Sequence, residues 1–315
     1  MVFPWVADAH TDFLHNVYRR IVSLQADELT QYQYSLPTLQ KGNIGLQIFA
    51  AFIDRDLPEH PVVQCLKQFQ VFFSMLETWG PCNVINADLD SLACPSAPTR
   101  AILSIEGGEA CCGSCEILQL YARLGVKAMT LVWNHPNELG YPALGHHYNE
   151  LGLTEQGFSM IKQMNDSHIA IDVSHLNEKG FWDCIHTSQV PIFASHSNAY
   201  ALRPHPRNLT DDQIKAIIEQ EGYIGLNFNP PFLCESSQGT LSDIIRHARH
   251  ILDLGGENVL GFGSDFDGVD ALPIGMKGVQ HFPMLQQAFF DAGIQGHLLD
   301  KISHQNLVRY LSQFY

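Results

Sequence analysis

The chain has 315 residues, of which 45% are hydrophobic and 16% are charged, so it can form a large buried core and is unlike a disordered chain. Its 18 Lys and Arg stand against 33 Asp and Glu, and the formal net charge of -15 disfavours binding to nucleic acid or to an anionic membrane surface. The beginning of the chain lacks a basic, then apolar leader, and no apolar run approaches the length of a membrane span. We therefore expect a cytoplasmic protein.

Short apolar runs that favour β-structure alternate with longer amphipathic stretches along the whole chain. They predict eight strands, at residues 3–7, 45–52, 101–105, 127–132, 169–173, 191–194, 223–227 and 258–263. Helices are predicted at 155–165, 211–219 and 242–254, and one or two closing helices at 284–315. Eight such units without a flexible linker predict an α/β fold, a closed (β/α)₈ TIM barrel, as a single domain over 1–315.

The alternative architecture is an open, doubly wound sheet. Its dinucleotide-binding form requires a G-x-G-x-x-G turn after a strand, and the sequence has none at the predicted positions. This version of the alternative is therefore disfavoured.

Residues that can bind metals or carry protons follow the ends of five predicted strands. They are His10 and Asp12 after the first strand, Glu106 after the third, His175 after the fifth, His196 after the sixth and Asp265 after the eighth. Active sites of barrels are built where the carboxyl ends of the strands meet. The pattern therefore predicts one site made from all of them.

Each of these residues also has an ordinary structural explanation. Asp12 could cap the next helix, and for a His-x-Asp pair in isolation capping is the more common role. Glu106 could lie in a surface loop, His175 and His196 could be core or surface residues, and Asp265 lies in a stretch rich in turn formers. The metal site is favoured because five strand ends on one face carry such residues together.

The motifs at these strand ends resemble those of the renal or membrane dipeptidase family of zinc metallopeptidases. The resemblance covers essentially the whole chain, in order and in spacing. The motifs are Asp-Ala-His-Thr-Asp at 8–12, Ile-Glu-Gly-Gly at 105–108, Ile-Asp-Val-Ser-His at 171–175, Phe-Ala-Ser-His-Ser-Asn-Ala at 193–199, Pro-Arg-Asn-Leu-Thr-Asp-Asp at 206–212 and Gly-Phe-Gly-Ser-Asp-Phe-Asp-Gly at 261–268.

The resemblance implies a TIM barrel that binds two zinc ions. Glu106 would bridge the ions, one of which would also be bound by His10 and Asp12 and the other by His175 and His196. Ligands of these types also suit manganese and cobalt, so the residues alone do not select the metal.

The resemblance further implies a dipeptidase, and its substrates would include dipeptides with a D-residue at the C-terminal position. Arg207 would bind the free carboxylate of the substrate, in the bidentate geometry that suits a guanidinium. Asp265 would move protons for a hydroxide held between the zinc ions, so Asp265 and Glu106 are the expected catalytic residues.

Trp133 departs from the pattern of the mammalian members of this family, which have at this position a histidine that contacts the substrate near the reacting carbonyl. Either His135 or another donor makes this contact, or Trp133 reshapes the pocket and changes the range of substrates. Asn134, between them, is also a candidate for binding substrate.

Two other functions are compatible with the sequence. A binuclear hydrolase of the amidohydrolase type, acting on N-acyl amino acids or lactones, usually opens with His-x-His, whereas here the opening is His10-Thr11-Asp12. A non-catalytic metal-binding barrel is the second alternative, and the intact set of ligands with Asp265 argues against it.

The expected partners are small dipeptides, with no nucleic acid and no membrane. The oligomeric state stays open, with a homodimer as one arrangement.

Overall fold

The computed structural model describes residues 3–25, 33–92, 98–236 and 238–315. Most of its strands are short, almost completely buried apolar runs, as expected for strands that are covered on both faces. They are β1 (Val6–Asp8), β2 (Ile44–Phe52), β3 (Val84–Asn86), β4 (Thr99–Glu106), β5 (Val126–Thr130), β6 (Ala170–Asp172), β7 (Phe193–Ala194), β8 (Tyr223–Leu226) and β9 (Leu260–Phe262).

Eight of these strands close into a parallel barrel. The strand β1 pairs with β2 on one side and with β9 on the other, and β2 pairs with β4 along its length. The remaining strands follow in chain order from β4 to β9. The predicted (β/α)₈ TIM barrel is therefore confirmed. The sequence did not predict β3, which pairs only with the beginning of β4, next to the barrel wall.

The helices surround the barrel. They are α1 (Phe13–Tyr18), α2 (Leu36–Lys41), α3 (Pro61–Trp79), α4 (Leu89–Leu92), α5 (Cys115–Arg123), α6 (Glu155–Asp166), α7 (Glu178–Thr187), α8 (Asp211–Glu219), α9 (Pro230–Leu233), α10 (Leu241–Asp253), α11 (Phe282–Asp291), α12 (His297–Asp300) and α13 (Asn306–Leu311). In the described ranges, no helix has the length and apolar character needed to span a membrane.

Local capping explains why several helices begin where the sequence predicts. The side chain of Thr210 accepts a hydrogen bond from the backbone N–H of Gln213, whose own side chain bonds back to Thr210. This capping box fixes the first residue of α8. Thr240 and Asp243 form the same arrangement at the start of α10.

The C-terminal residues close the amino-terminal end of the barrel. Tyr310 packs against Phe193 inside the barrel, with a distance of 5.2 Å between ring centroids, and its hydroxyl donates to the carbonyl of Pro191. Leu307, Leu311 and Phe314 belong to the same buried cluster. The opposite end, where the strands finish, is left for the functional site.

Candidate metal centre

The predicted site residues converge at the carboxyl ends of the strands. His10 and Asp12 follow β1, Glu106 is the last residue of β4, and the loops after β6, β7 and β9 carry the others, His175, His196 and Asp265. All six side chains are buried. The structure therefore brings the six residues into one cluster, in which three overlapping groups have ligand atoms within 4.8 Å of one another.

Glu106 lies at the centre of this cluster and faces two sets of neighbours. Its Oε2 atom is 3.5 Å from Nε2 of His10. Its Oε1 atom is 3.0 Å from Nε2 of His175 and 3.7 Å from Nε2 of His196. A carboxylate in this orientation can bind one cation with each oxygen.

Asp12 precedes α1 but does not cap it. Its side chain makes no capping hydrogen bond in the described structure, and its Oδ2 atom instead lies 3.5 Å from Nε2 of His10. The hydroxyl of Thr11 donates to the carbonyl of Phe266 and so is also engaged elsewhere. The capping explanation for this pair is therefore wrong, and both side chains point into the cluster.

Several atoms of the cluster lack the partners that buried polar atoms normally have. Within the described residues, Nε2 of His10 and Oδ1 of Asp12 are buried without a hydrogen-bond partner. The Nε2 atoms of His175 and His196 face each other at 2.9 Å, a distance that requires a proton or a cation between two lone pairs. Buried groups of this kind are stabilised by coordination, so the residues present fit divalent cations.

The pKa values of the acidic residues and of His10 are shifted by burial and by the neighbouring charges. Burial and the carboxylate of Asp12 raise the pKa of Glu106 to about 8, and burial raises the pKa of Asp265 to about 6. Burial alone would lower the pKa of His10, but the carboxylates of Glu106 and Asp12 raise it well above 6.5. Divalent cations bound here would supply positive charge that stabilises the ionised carboxylates.

The two remaining histidines have the opposite shift. Burial lowers the pKa of both His175 and His196 well below 6.5, and the positive charge of Arg207 lowers it further. Both imidazoles are therefore neutral and have a lone pair to offer to a metal.

The polar residues that hold this cluster in place were not predicted in that role from the sequence. Asn227, at the end of β8, donates a hydrogen bond from Nδ2 to Oδ2 of Asp265 at 2.9 Å. Asp8 accepts from both the backbone N–H and the hydroxyl of Ser264. Asn134, predicted to bind substrate, places its Oδ1 atom 3.0 Å from Nδ1 of His175. Asn227 directly follows the apolar run of β8, as the predicted site residues follow other strands, and this position was the signal available for it.

Arg207 reaches the site from the loop before α8. Its Nη2 atom donates to the carbonyl of His196 at 3.3 Å, and its guanidinium lies 5.6 Å from the ring centre of Phe232. In the described structure its Nε and Nη1 atoms are buried without a partner. Arg207 can therefore bind a carboxylate with donors that are not otherwise engaged.

A cavity of about 230 Å³ opens beside the cluster. Trp133 lines it together with Phe52 and Phe232, and the rings of Trp133 and Phe52 meet edge to face with centroids 4.8 Å apart. His135 is exposed and lies outside this lining, with its ring centroid 5.8 Å from that of Trp133. The lining of the cavity therefore combines aromatic side chains with the carboxylates of Asp12, Glu106 and Asp265.

A TIM barrel with this cluster at the carboxyl ends of its strands defines a metal-dependent hydrolase. The chain belongs to the membrane dipeptidase family, peptidase family M19, whose model matches residues 3–314. The protein is therefore a metallopeptidase of the dipeptidase type, as the resemblance of its motifs predicted.

The chain is also similar to individual proteins of known sequence or structure. An uncharacterized protein in the pqqA 5′ region of Klebsiella pneumoniae is 38% identical over 218 residues, which are 67% of this chain and 80% of that protein. A metallopeptidase of Rhodobacter sphaeroides, solved with a phosphinate mimic of the dipeptide L-Ala-D-Ala, is 28% identical with a TM-score of 0.90 and full coverage of both chains, 100% and 100%. The structure of dipeptidase AC, of family M19, is 30% identical with a TM-score of 0.90, covering 100% of this chain and 99% of that one.

Proposed function

We propose that the protein hydrolyses the peptide bond of dipeptides, L-Xaa-D-Xaa dipeptides among them, with two zinc ions. One observation carries this proposal: the two oxygens of Glu106 face two groups of side chains that can bind a metal. The first group is His10 with Asp12, and the second is His175 with His196. The solved relative with the L-Ala-D-Ala mimic supports the stereochemistry.

The remaining residues have complementary roles in this proposal. When bound, zinc supplies Lewis acidity that polarises the peptide carbonyl and activates water for attack. Asp265 accepts the proton of the attacking water and gives it to the leaving amine, and the hydrogen bond from Asn227 holds its carboxylate in position. Arg207 binds the C-terminal carboxylate of the dipeptide through guanidinium N–H groups that have no other partner among the described residues. Trp133 and Phe52 provide an apolar surface in the cavity against which the substrate can pack.

Metal analysis of one matched pair of variants tests the metal centre. Glu106→Ala removes the central carboxylate, so we expect fewer than two bound zinc ions and loss of dipeptide hydrolysis. Glu109→Ala is the control, because Glu109 is also buried but its carboxylate accepts from Asn137 rather than facing the cluster. Two tightly bound zinc ions and full activity in Glu106→Ala would show that the ligand set is wrong.

A substrate panel tests the activity. We expect metal-replete enzyme to hydrolyse L-Ala-D-Ala and L-Ala-L-Ala, and to leave N-acetyl-alanine and simple lactones intact. Hydrolysis of the N-acyl amino acid without hydrolysis of either dipeptide would instead favour the amidohydrolase-type reaction.

A further inference from the structure

The carboxylate of Asp172, at the end of β6, is surrounded by hydrogen-bond donors. Its Oδ1 atom accepts from the backbone N–H groups of Ser174 and Ser195, each at 3.0 Å, and from the hydroxyl of Ser174 at 2.7 Å. Its Oδ2 atom accepts from the hydroxyls of Thr130, at 2.7 Å, and Ser195, at 2.5 Å. The carboxylate of Asp172 is therefore the acceptor in all five contacts.

The positions of these protons determine the tautomer of His196. Ser195 has a single hydroxyl proton, which it donates to Asp172. Its Oγ atom is also 2.7 Å from Nδ1 of His196, and this contact needs a proton from the imidazole. Nδ1 of His196 therefore carries the proton, and Nε2 keeps the lone pair that faces Glu106 and His175.

We infer that Asp172 and Ser195 are positioning residues of the metal centre: through Ser195, the carboxylate of Asp172 fixes His196 in the tautomer that can bind a cation. The inference rests on the metal centre that the proposed function requires. Hydrogen bonds to the nitrogen that does not bind the metal commonly fix both the tautomer and the ring orientation of a ligand. His175 obtains the same tautomer more simply, from the amide oxygen of Asn134.

The isosteric variant Asp172→Asn tests this inference because the surrounding donors determine which way its side-chain amide is oriented. The two backbone N–H groups at Oδ1 require an oxygen there, so the amide NH₂ must occupy the position of Oδ2. It then donates to the hydroxyl of Ser195, whose own proton becomes free to turn towards Nδ1 of His196. Both tautomers of His196 become accessible, and we expect zinc affinity to fall by about 10-fold to 100-fold, as for other outer partners of metal ligands.

Thr130→Val is the matched control. It removes another donor from the same Oδ2 atom but leaves the contact between Ser195 and His196 intact, so zinc affinity should stay close to that of the wild type. Ser195→Ala removes the acceptor itself and should weaken zinc binding as Asp172→Asn does. This second variant decides the question if Asp172→Asn does not fold.

Two measurements complete the test. Zinc affinity is measured by competition with a chelator, and the Nδ1 proton resonance of His196 is followed by NMR in zinc-loaded protein with ¹⁵N-labelled histidine. We expect this resonance to move in Asp172→Asn and to stay in place in Thr130→Val. Unchanged zinc affinity in both Asp172→Asn and Ser195→Ala, or a resonance that does not move, would overturn the inference. Neither measurement uses a substrate, so enzyme that binds zinc as predicted but cleaves no dipeptide would refute only the proposed function.

Discussion

A Cβ atom on Gly268 would lie 2.0 Å from Oδ2 of Asp12. It would also lie 2.5 Å from Oδ1 of Asp265. Both contacts are with the ends of side chains, so an alanine can be accommodated if the two carboxylates move and the backbone stays in place. The absent side chain of Gly268 therefore determines where these two carboxylates can be.

We expect Gly268→Ala to fold normally but to bind zinc more weakly at the His10 and Asp12 pair. Titration calorimetry of zinc-free protein would detect this change as a lower zinc affinity at one of two sites. The control is Gly239→Ala, whose new Cβ would meet Pro230 at 3.3 Å instead of a ligand side chain. Two unchanged zinc affinities in Gly268→Ala would show that Asp12 does not bind metal.

Asp265→Asn should separate proton transfer from metal binding. Asp265 has a φ of 64°, in the left-handed region, which asparagine tolerates well, so the substitution keeps the backbone conformation. We expect both zinc ions to stay bound and kcat to fall by about 100-fold to 10,000-fold, the usual contribution of a general acid or base. Because Asp265 also lies 3.8 Å from His10, loss of one zinc ion would identify it as a ligand instead.

Arg207→Met should reduce kcat/KM for dipeptides by about 10-fold to 100-fold, the effect of losing hydrogen bonds to a charged group. The variant should also lose the preference of the wild type for a free carboxylate over the corresponding dipeptide amide. Arg203→Met serves as the control, since Arg203 lies in the same loop but donates to the carbonyl of Pro231. An unaltered preference in Arg207→Met would remove Arg207 from the substrate site.

Trp133→Ala should selectively impair substrates with large apolar side chains, because it removes half of the aromatic pair formed with Phe52. We expect the ratio of kcat/KM for leucine-containing to alanine-containing dipeptides to fall by about 10-fold, near the value of one methylene group in an apolar pocket. If His135 makes the substrate contact instead, His135→Ala will be the variant that loses activity.

His247, which is not one of the proposed metal ligands, predicts a pH dependence of stability. Its Nδ1 atom accepts from the N–H of Ala199 and its Nε2 atom lies 3.0 Å from the carbonyl of Leu233. Burial lowers its pKa from 6.5 to about 4. Between these values the unfolded chain binds the extra proton, so stability falls as the pH falls, by about 3 kcal/mol in total.

His247→Asn keeps an acceptor for Ala199 but cannot take up a proton. Urea denaturation of zinc-free protein at about pH 7 and about pH 4.5 should therefore show a smaller loss of stability for the variant than for the wild type. Equal losses for both proteins would show that His247 does not contribute to acid sensitivity.

Much of the fold could be predicted because barrel strands are continuous apolar runs between amphipathic helices. The strand β3 escaped prediction because it has only three residues, ends in an exposed Asn86 and contributes nothing to the barrel wall. The first strand was predicted at 3–7 but begins at Val6, since the apolar residues before it pack without pairing. The residues at which a strand begins and ends depend on its register with the neighbouring strands.

The predicted site residues followed from the rule that the carboxyl ends of parallel strands meet on one face. The roles of Asn227 and Asp172 could not be predicted, because each depends on a side chain from a neighbouring strand that is distant in sequence. Whether Asp12 capped a helix or faced His10 was likewise a matter of side-chain direction, which the sequence alone leaves open.

The strand β7 has only two residues, yet the loop directly after it carries Ser195 and His196. This loop can lie against the neighbouring strands because Gly225 and Gly263 have no side chains. A Cβ on Gly225 would lie 2.0 Å from the carbonyl oxygen of Ser195, and a Cβ on Gly263 would lie 1.7 Å from it. Transplanting the six site side chains onto another barrel would therefore not recreate this centre. A designer would also have to copy two residues that touch no metal and no substrate.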